Sequence, residues 1–164
     1  MSRIRPDQIL TQSILDRLMD DDPEATRDPP KARNQMLRET IQAVRRDLEN
    51  LLNTRRYCLA PPKELAEIPR SLYGFGVPDV SSVAMASEKA RSAFRETVEK
   101  TIRAFEPRFK TVRVKFVEEG ENLERTLRFR VDALLRMEPA PEPITFDTQL
   151  EQITNTFAVT SPEL

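Results

Sequence analysis

Two stretches, Val112-Arg113-Val114-Lys115-Phe116 and Leu127-Arg128-Phe129-Arg130-Val131-Asp132-Ala133, decide the fold class. In the first, Val112, Val114 and Phe116 alternate with Arg113 and Lys115. In the second, Leu127, Phe129, Val131 and Ala133 alternate with Arg128, Arg130 and Asp132. Strand side chains point alternately to opposite faces, so a period of two predicts one buried face and one in water. Gly120, in Glu118-Glu119-Gly120-Glu121-Asn122, supplies a turn, and the pair is predicted to form an antiparallel hairpin. Beyond Pro139, Pro141 and Pro143, the run Ile144, Phe146, Thr148 predicts another strand. Leu150 to Leu164 fits no single period.

Upstream the period changes. Ala90, Phe94, Val98, Ile102 and Phe105 form one apolar stripe, with Ser87 placed to cap the helix and Glu88 in its first turn. Pro107 biases Glu106 away from helical backbone, so this helix should end near Phe105. Lys31 to Asn53 carries the strongest helical pattern: Leu37, Ile41, Val44, Leu48 and Leu51 lie on one side, with Leu52 beside them. That stripe suits core packing or a seam with a partner helix. Ile9 to Met19 reads as a short helix through Ile14, Leu15 and Leu18. Asp20 to Pro30 reads as a linker opening on the solvated run Asp20-Asp21-Asp22. Tyr57 to Val80 has no period, and its prolines with Gly74 and Gly76 predict a long ordered loop of the kind that forms interfaces. Helices followed by a meander predict an α+β domain, helices packed against a small antiparallel sheet. The expected division is 1–30, helix and linker, and 31–164, the main domain.

Composition removes several chemistries. The chain has 164 residues, 26 basic and 27 acidic, a net charge of −1, with no histidine, no tryptophan and one cysteine, Cys58. Histidine triads, histidine bases and histidine metal ligands are therefore excluded. One cysteine makes neither a CxxC pair nor an internal disulfide, which fits a reducing compartment. Gly74-Phe75-Gly76 is a GxG without a third glycine, so no phosphate-cradling loop is expected. The charge balance gives no pull toward nucleic acid. No apolar run is long enough to span a membrane, and no apolar segment follows the basic start Met1–Arg5. The expectation is a cytoplasmic chain with no catalytic set, no cofactor and no metal.

Two groups of residues remain as candidates. Arg45, Arg46, Arg55 and Arg56 flank the end of the long helix. They read either as a surface for nucleic acid or an acidic partner, or as a solvated helix face, and the interspersed Glu39, Asp47 and Glu49 spoil a phosphate-tracking patch. Glu106-Pro107-Arg108, between Phe105 and Phe109, sits at a helix-to-strand corner, with the two phenylalanines expected to anchor it. Glu106 could serve as a general acid, given a second carboxylate from Asp79, Glu118, Asp132 or Asp147. Arg108 could read a partner carboxylate through its two-pronged fork. The two could also form a local ion pair.

Taken in order, five motifs resemble those of the TssE family, baseplate subunits of bacterial type VI secretion related to the lysozyme-like wedge protein of contractile phage tails. They are Ser13–Leu18, Ala43–Arg56, Phe75-Gly76-Val77-Pro78-Asp79-Val80, Glu106-Pro107-Arg108 and Ile144–Thr148. Phe75 stands where that family often has tyrosine. The resemblance implies a wedge/handshake-type domain and a structural role at a baseplate docked on the inner membrane. It implies baseplate partners TssF, TssG and TssK, and contact with the sheath proteins TssB and TssC. A sheet edge that accepts or donates a strand would nucleate sheath assembly. Glu106, Pro107 and Arg108 would face the baseplate core, and reversing Arg108 to Asp should weaken incorporation while sparing the fold. The alternative is a peptidoglycan-cleaving glycosidase with Glu106 as its acid.

Overall fold

The computed structural model describes residue 18 and residues 32–57, 64–65, 67–79, 87–117, 126–137, 140–151 and 153–161. Helix α1 is Arg33–Asn53, followed by two 3-10 turns, Ile68–Arg70 and Leu72–Gly74. Helix α2 is Glu88–Phe105, and the strands are β1 Phe109–Phe116, β2 Thr126–Leu135, β3 Glu142–Glu151 and β4 Thr156–Thr160. The strands form one antiparallel sheet in the order β1-β2-β3-β4. This is the predicted α+β arrangement. The Gly120 turn, the Asp20–Pro30 linker and the division at residue 30 lie outside the described residues. So does the Ile9–Met19 helix apart from Leu18, which has helical backbone and is exposed.

The boundaries follow from local chemistry. The Ser87 hydroxyl accepts from Ala90 N at 3.3 Å and caps α2, as its position predicts. The helix stops at Phe105, before Glu106-Pro107. The tail without a clear period contains β4. Asn155, at φ 55°, turns the chain there, a left-handed conformation that asparagine tolerates. With only five residues, β4 is too short for its alternation to stand out.

One side of the sheet meets both helices. Val112, Val114, Phe129, Val131, Phe146, Leu150, Phe157 and Val159 are buried from the sheet. They face Ile41, Val44, Leu48 and Leu52 of α1 and Phe94, Val98 and Ile102 of α2. Phe94, Phe129 and Phe157 pack at ring separations of 6.1–6.4 Å across this layer. Each such buried side chain contributes about 1.5–3 kcal/mol from removal of apolar surface. The opposite face is charged and paired across strands, with Lys115 2.7 Å from Asp132 and Arg130 2.9 Å from Asp147. The apolar stripe of α1 is therefore core, apart from Leu37, which is only partly buried.

The sheet's outer edges are not bare. Side chains of α2 reach backbone groups of β1, and side chains of α1 reach those of β4. The open edge implied by the family resemblance is covered at these positions, because each helix runs along the rim of the sheet and turns polar residues onto it.

Candidate functional site at the helix-to-strand corner

The corner is built by the end of α2. Glu106 N donates to Ile102 O at 2.8 Å, which closes the last helical turn. Pro107 then carries the chain out, and Phe109 begins β1 in the core, 5% exposed. Over three residues the backbone changes from helix to strand, so the side chains of Glu106 and Arg108 come to the same side. Glu106 is buried, with 4% of its surface exposed.

Arg108 satisfies that buried carboxylate. Its Nε donates to Glu106 Oε1 at 2.6 Å, its Nη2 donates to Glu106 Oε2, and its backbone N–H donates to Oε1 at 3.1 Å. The same Nη2 donates to Asp47 Oδ2 of α1 at 2.5 Å. Arg108 O in turn accepts from Arg136 N at 2.7 Å, which fixes the corner to the end of β2. Burial alone would disfavour the guanidinium charge. Hydrogen bonds and negative charge from Glu106, then Asp47, outweigh it and hold the Arg108 pKa above its ordinary value. One arginine thus joins α1, α2 and β1 through two carboxylates.

A groove of about 410 Å³ opens beside this triad. Leu48, Leu51, Phe75, Phe105 and Pro107 supply its apolar lining, and Asp47, Asn50, Glu106 and Arg108 its polar groups. Phe75 meets Phe105 edge-on at 5.3 Å. The two glycines of the GxG place Phe75 there. A Cβ on Gly74 would lie 2.0 Å from Pro69 O, and one on Gly76, at φ +97°, would lie 2.3 Å from Thr54 O. Glycine lets the loop press onto the end of α1, where Val77 N donates to Thr54 O at 3.0 Å and Arg56 N to Val77 O at 2.9 Å. The GxG is a close-packing device in this fold.

The four arginines around α1 do not form one patch. Arg45 pairs with Glu49 at 3.1 Å and donates to Val159 O at 3.2 Å. Arg46 lies 3.4 Å from Asp47. Arg55 donates to Asn155 O at the β3–β4 turn, while Arg56 joins the loop through its backbone. Of the carboxylates considered as a second acid, Asp132 and Asp147 stand on the charged outer face. Asp79 accepts from Asn155 at 2.9 Å, and Glu118 lies outside the described residues. The carboxylate that does share the corner is Asp47, which the sequence presented only as a charge among the arginines. Its signal was the helical spacing that sets it one turn before Leu51, at the border of the apolar stripe. No group of three or more histidine, cysteine or carboxylate residues arranged to hold a metal occurs among the described residues.

This corner and the first two strands of the sheet fall inside a recognised domain. The sequence model of one family, baseplate wedge protein gp25, matches residues 38–140, from α1 to beyond the end of β2. The chain belongs to that baseplate wedge family, and a structural role in a contractile-tail-like baseplate follows from the membership. No curated protein and no solved structure matches the chain.

Proposed function

We propose that this protein is the wedge subunit of a type VI secretion baseplate, acting at the cytoplasmic face of the inner membrane. There it joins TssF, TssG and TssK, and helps start assembly of the TssB/TssC sheath through the edge of its sheet. Family membership supports a baseplate role. The ordered motifs from Ser13 to Thr148 favour the type VI branch. The observation that carries the reading is the corner: a rigid ion triad beside an apolar groove. Pre-organised polar atoms around an apolar pocket suit recognition of a partner segment, because little freedom is lost on docking.

The geometry also favours binding over catalysis. Both oxygens of Glu106 already accept hydrogen bonds from Arg108. A glycosidase acid needs an oxygen directed at the scissile bond and a second carboxylate across the substrate. Asp47 instead lies on the same arginine. We therefore read the protein as a structural subunit and not an enzyme.

Reversing Arg108 to Asp is a poor probe of this interface, since it would place three carboxylates in one partly buried cluster. Asn50→Arg is better, because Asn50 is an exposed rim residue of the groove. The variant is expected to unfold at the wild-type temperature and to lose co-purification with TssF and TssG. Undiminished recovery of both partners would show that the groove is not their contact.

A further inference from the structure

The two edges of the sheet are covered by similar devices of unequal strength. On β1, Arg103 Nη2 donates to Val112 O at 3.2 Å and Val114 N donates to Glu99 Oε2 at 3.3 Å. Arg103 and Glu99 pair at 2.7 Å, one helical turn apart on α2. Residues 112 and 114 alternate along the strand, so their outward groups are those a neighbouring strand would use. On β4, Asn53 Nδ2 donates to Phe157 O and Phe157 N donates to Asn53 Oδ1, both at 2.9 Å. Val159 N reaches Glu49 Oε1 at 3.4 Å, and Arg45 Nη1 reaches Val159 O at 3.2 Å. Among the described residues, four contacts from α1 thus cover the five-residue strand, and two from α2 cover the eight-residue strand, whose Phe109 O also accepts from Arg136 Nε at 3.2 Å.

We infer that the β1 edge is the strand-accepting surface of this sheet, that its occupant is an extended acidic strand from another protein, and that the Glu99–Arg103 pair is a displaceable stand-in for that strand. The inference takes from the proposed function only the source of the strand. The Asn53 side chain is an amide, and it reads the N–H and C=O of one residue as a peptide group would. A partner strand gains little by replacing it. Glu99 and Arg103 offer β1 one long hydrogen bond each, and the Arg103 side chain is 62% exposed. Exposed ion pairs of this kind hold weakly. A strand adding here would replace them with a main-chain ladder.

Charge identifies the occupant. Lys110, Arg113 and Lys115 are exposed on β1, and of these Lys115 is paired with Asp132 of β2. Basic residues on an edge strand oppose pairing of β1 with a second copy of itself and favour a strand bearing Asp or Glu. The register slips between Phe109 and Thr111, so regular pairing with an incoming strand is confined to about Val112–Phe116.

The test uses the full chain and a synthetic ten-residue peptide of alternating valine and glutamate, with a valine–lysine peptide as control. Binding is read by fluorescence anisotropy and by amide exchange at Val114. The double variant Glu99→Ala/Arg103→Ala is expected to bind the glutamate peptide about fivefold more tightly than wild type, as removal of a competing closed state raises the binding-competent fraction. Its Val114 amide should exchange faster than wild type without peptide and slower with it. A purely structural pair would give only the faster exchange. Asn53→Ala should gain no peptide affinity. Unchanged affinity in the double variant, equal gain in Asn53→Ala, or preference for the lysine peptide would overturn the inference. Failure of the wild-type chain to recover TssF and TssG, the reference in the Asn50→Arg comparison, would count against the proposed function and leave the peptide result standing.

Discussion

The corner at Glu106–Arg108 and the rims of the sheet are made from the same residue types and use them oppositely. At the corner a carboxylate is buried, and an arginine follows it inward. Along the rims, carboxylates and arginines stay partly or largely exposed and lend their hydrogen-bonding atoms to backbone. A buried charge must be satisfied because water no longer reaches it. An edge group can exchange a side chain for water or for another strand. The corner should therefore be intolerant of substitution, and the rims graded in their tolerance.

The largest effect is expected at the corner. Arg108→Ala would leave the buried Glu106 carboxylate without its counter-charge, since the neighbouring Arg46 pairs with Asp47, at a cost of about 3 kcal/mol. The measurement is a urea unfolding midpoint with an unchanged slope. Arg108→Lys should fall between, since it keeps the charge but loses the fork that serves two carboxylates. A loss below about 1 kcal/mol for Arg108→Ala would put the corner among surface ion pairs.

The stronger rim comes next. Asn53→Ala removes both hydrogen bonds to Phe157, at 2.9 Å each. At about 1 kcal/mol per net hydrogen bond, the loss is about 2 kcal/mol. Amide exchange should rise at Phe157 while staying slow at Val131, in the centre of the sheet. Equal exchange at both positions would mean that β4 and the sheet centre open together.

This ordering explains how much was legible in the sequence. Both helices and the first three strands follow from periods of 3.6 and 2, because one face of each is buried. The Ser87 cap and the stop before Pro107 are local rules and could be read directly. The corner was readable as a motif, with an ion pair as one of its meanings. Asp47 was not, since 61 positions separate it from Arg108 and only the packing of α1 on α2 brings them together. The rims were hidden for the same reason. Arg45, Glu49 and Asn53 recur every four residues on the polar side of α1, and that spacing also describes an ordinary solvated helix. Nothing local distinguishes a side chain facing water from one facing a strand edge.

The smallest effect should fall on the weaker rim. Glu99→Ala removes one exposed ion pair and one 3.3 Å hydrogen bond to Val114 N. Surface pairs contribute about 0–1 kcal/mol, and a freed edge N–H can turn to water, so the loss in stability should stay below about 1 kcal/mol. The Val114 amide should exchange faster, while the urea midpoint barely moves. That separation of a local opening from global stability sharpens the contrast with Asn53, whose loss should move both. If Glu99→Ala cost as much as Asn53→Ala, the two rims would be equally closed, and β1 would have no advantage as the edge that takes a partner strand.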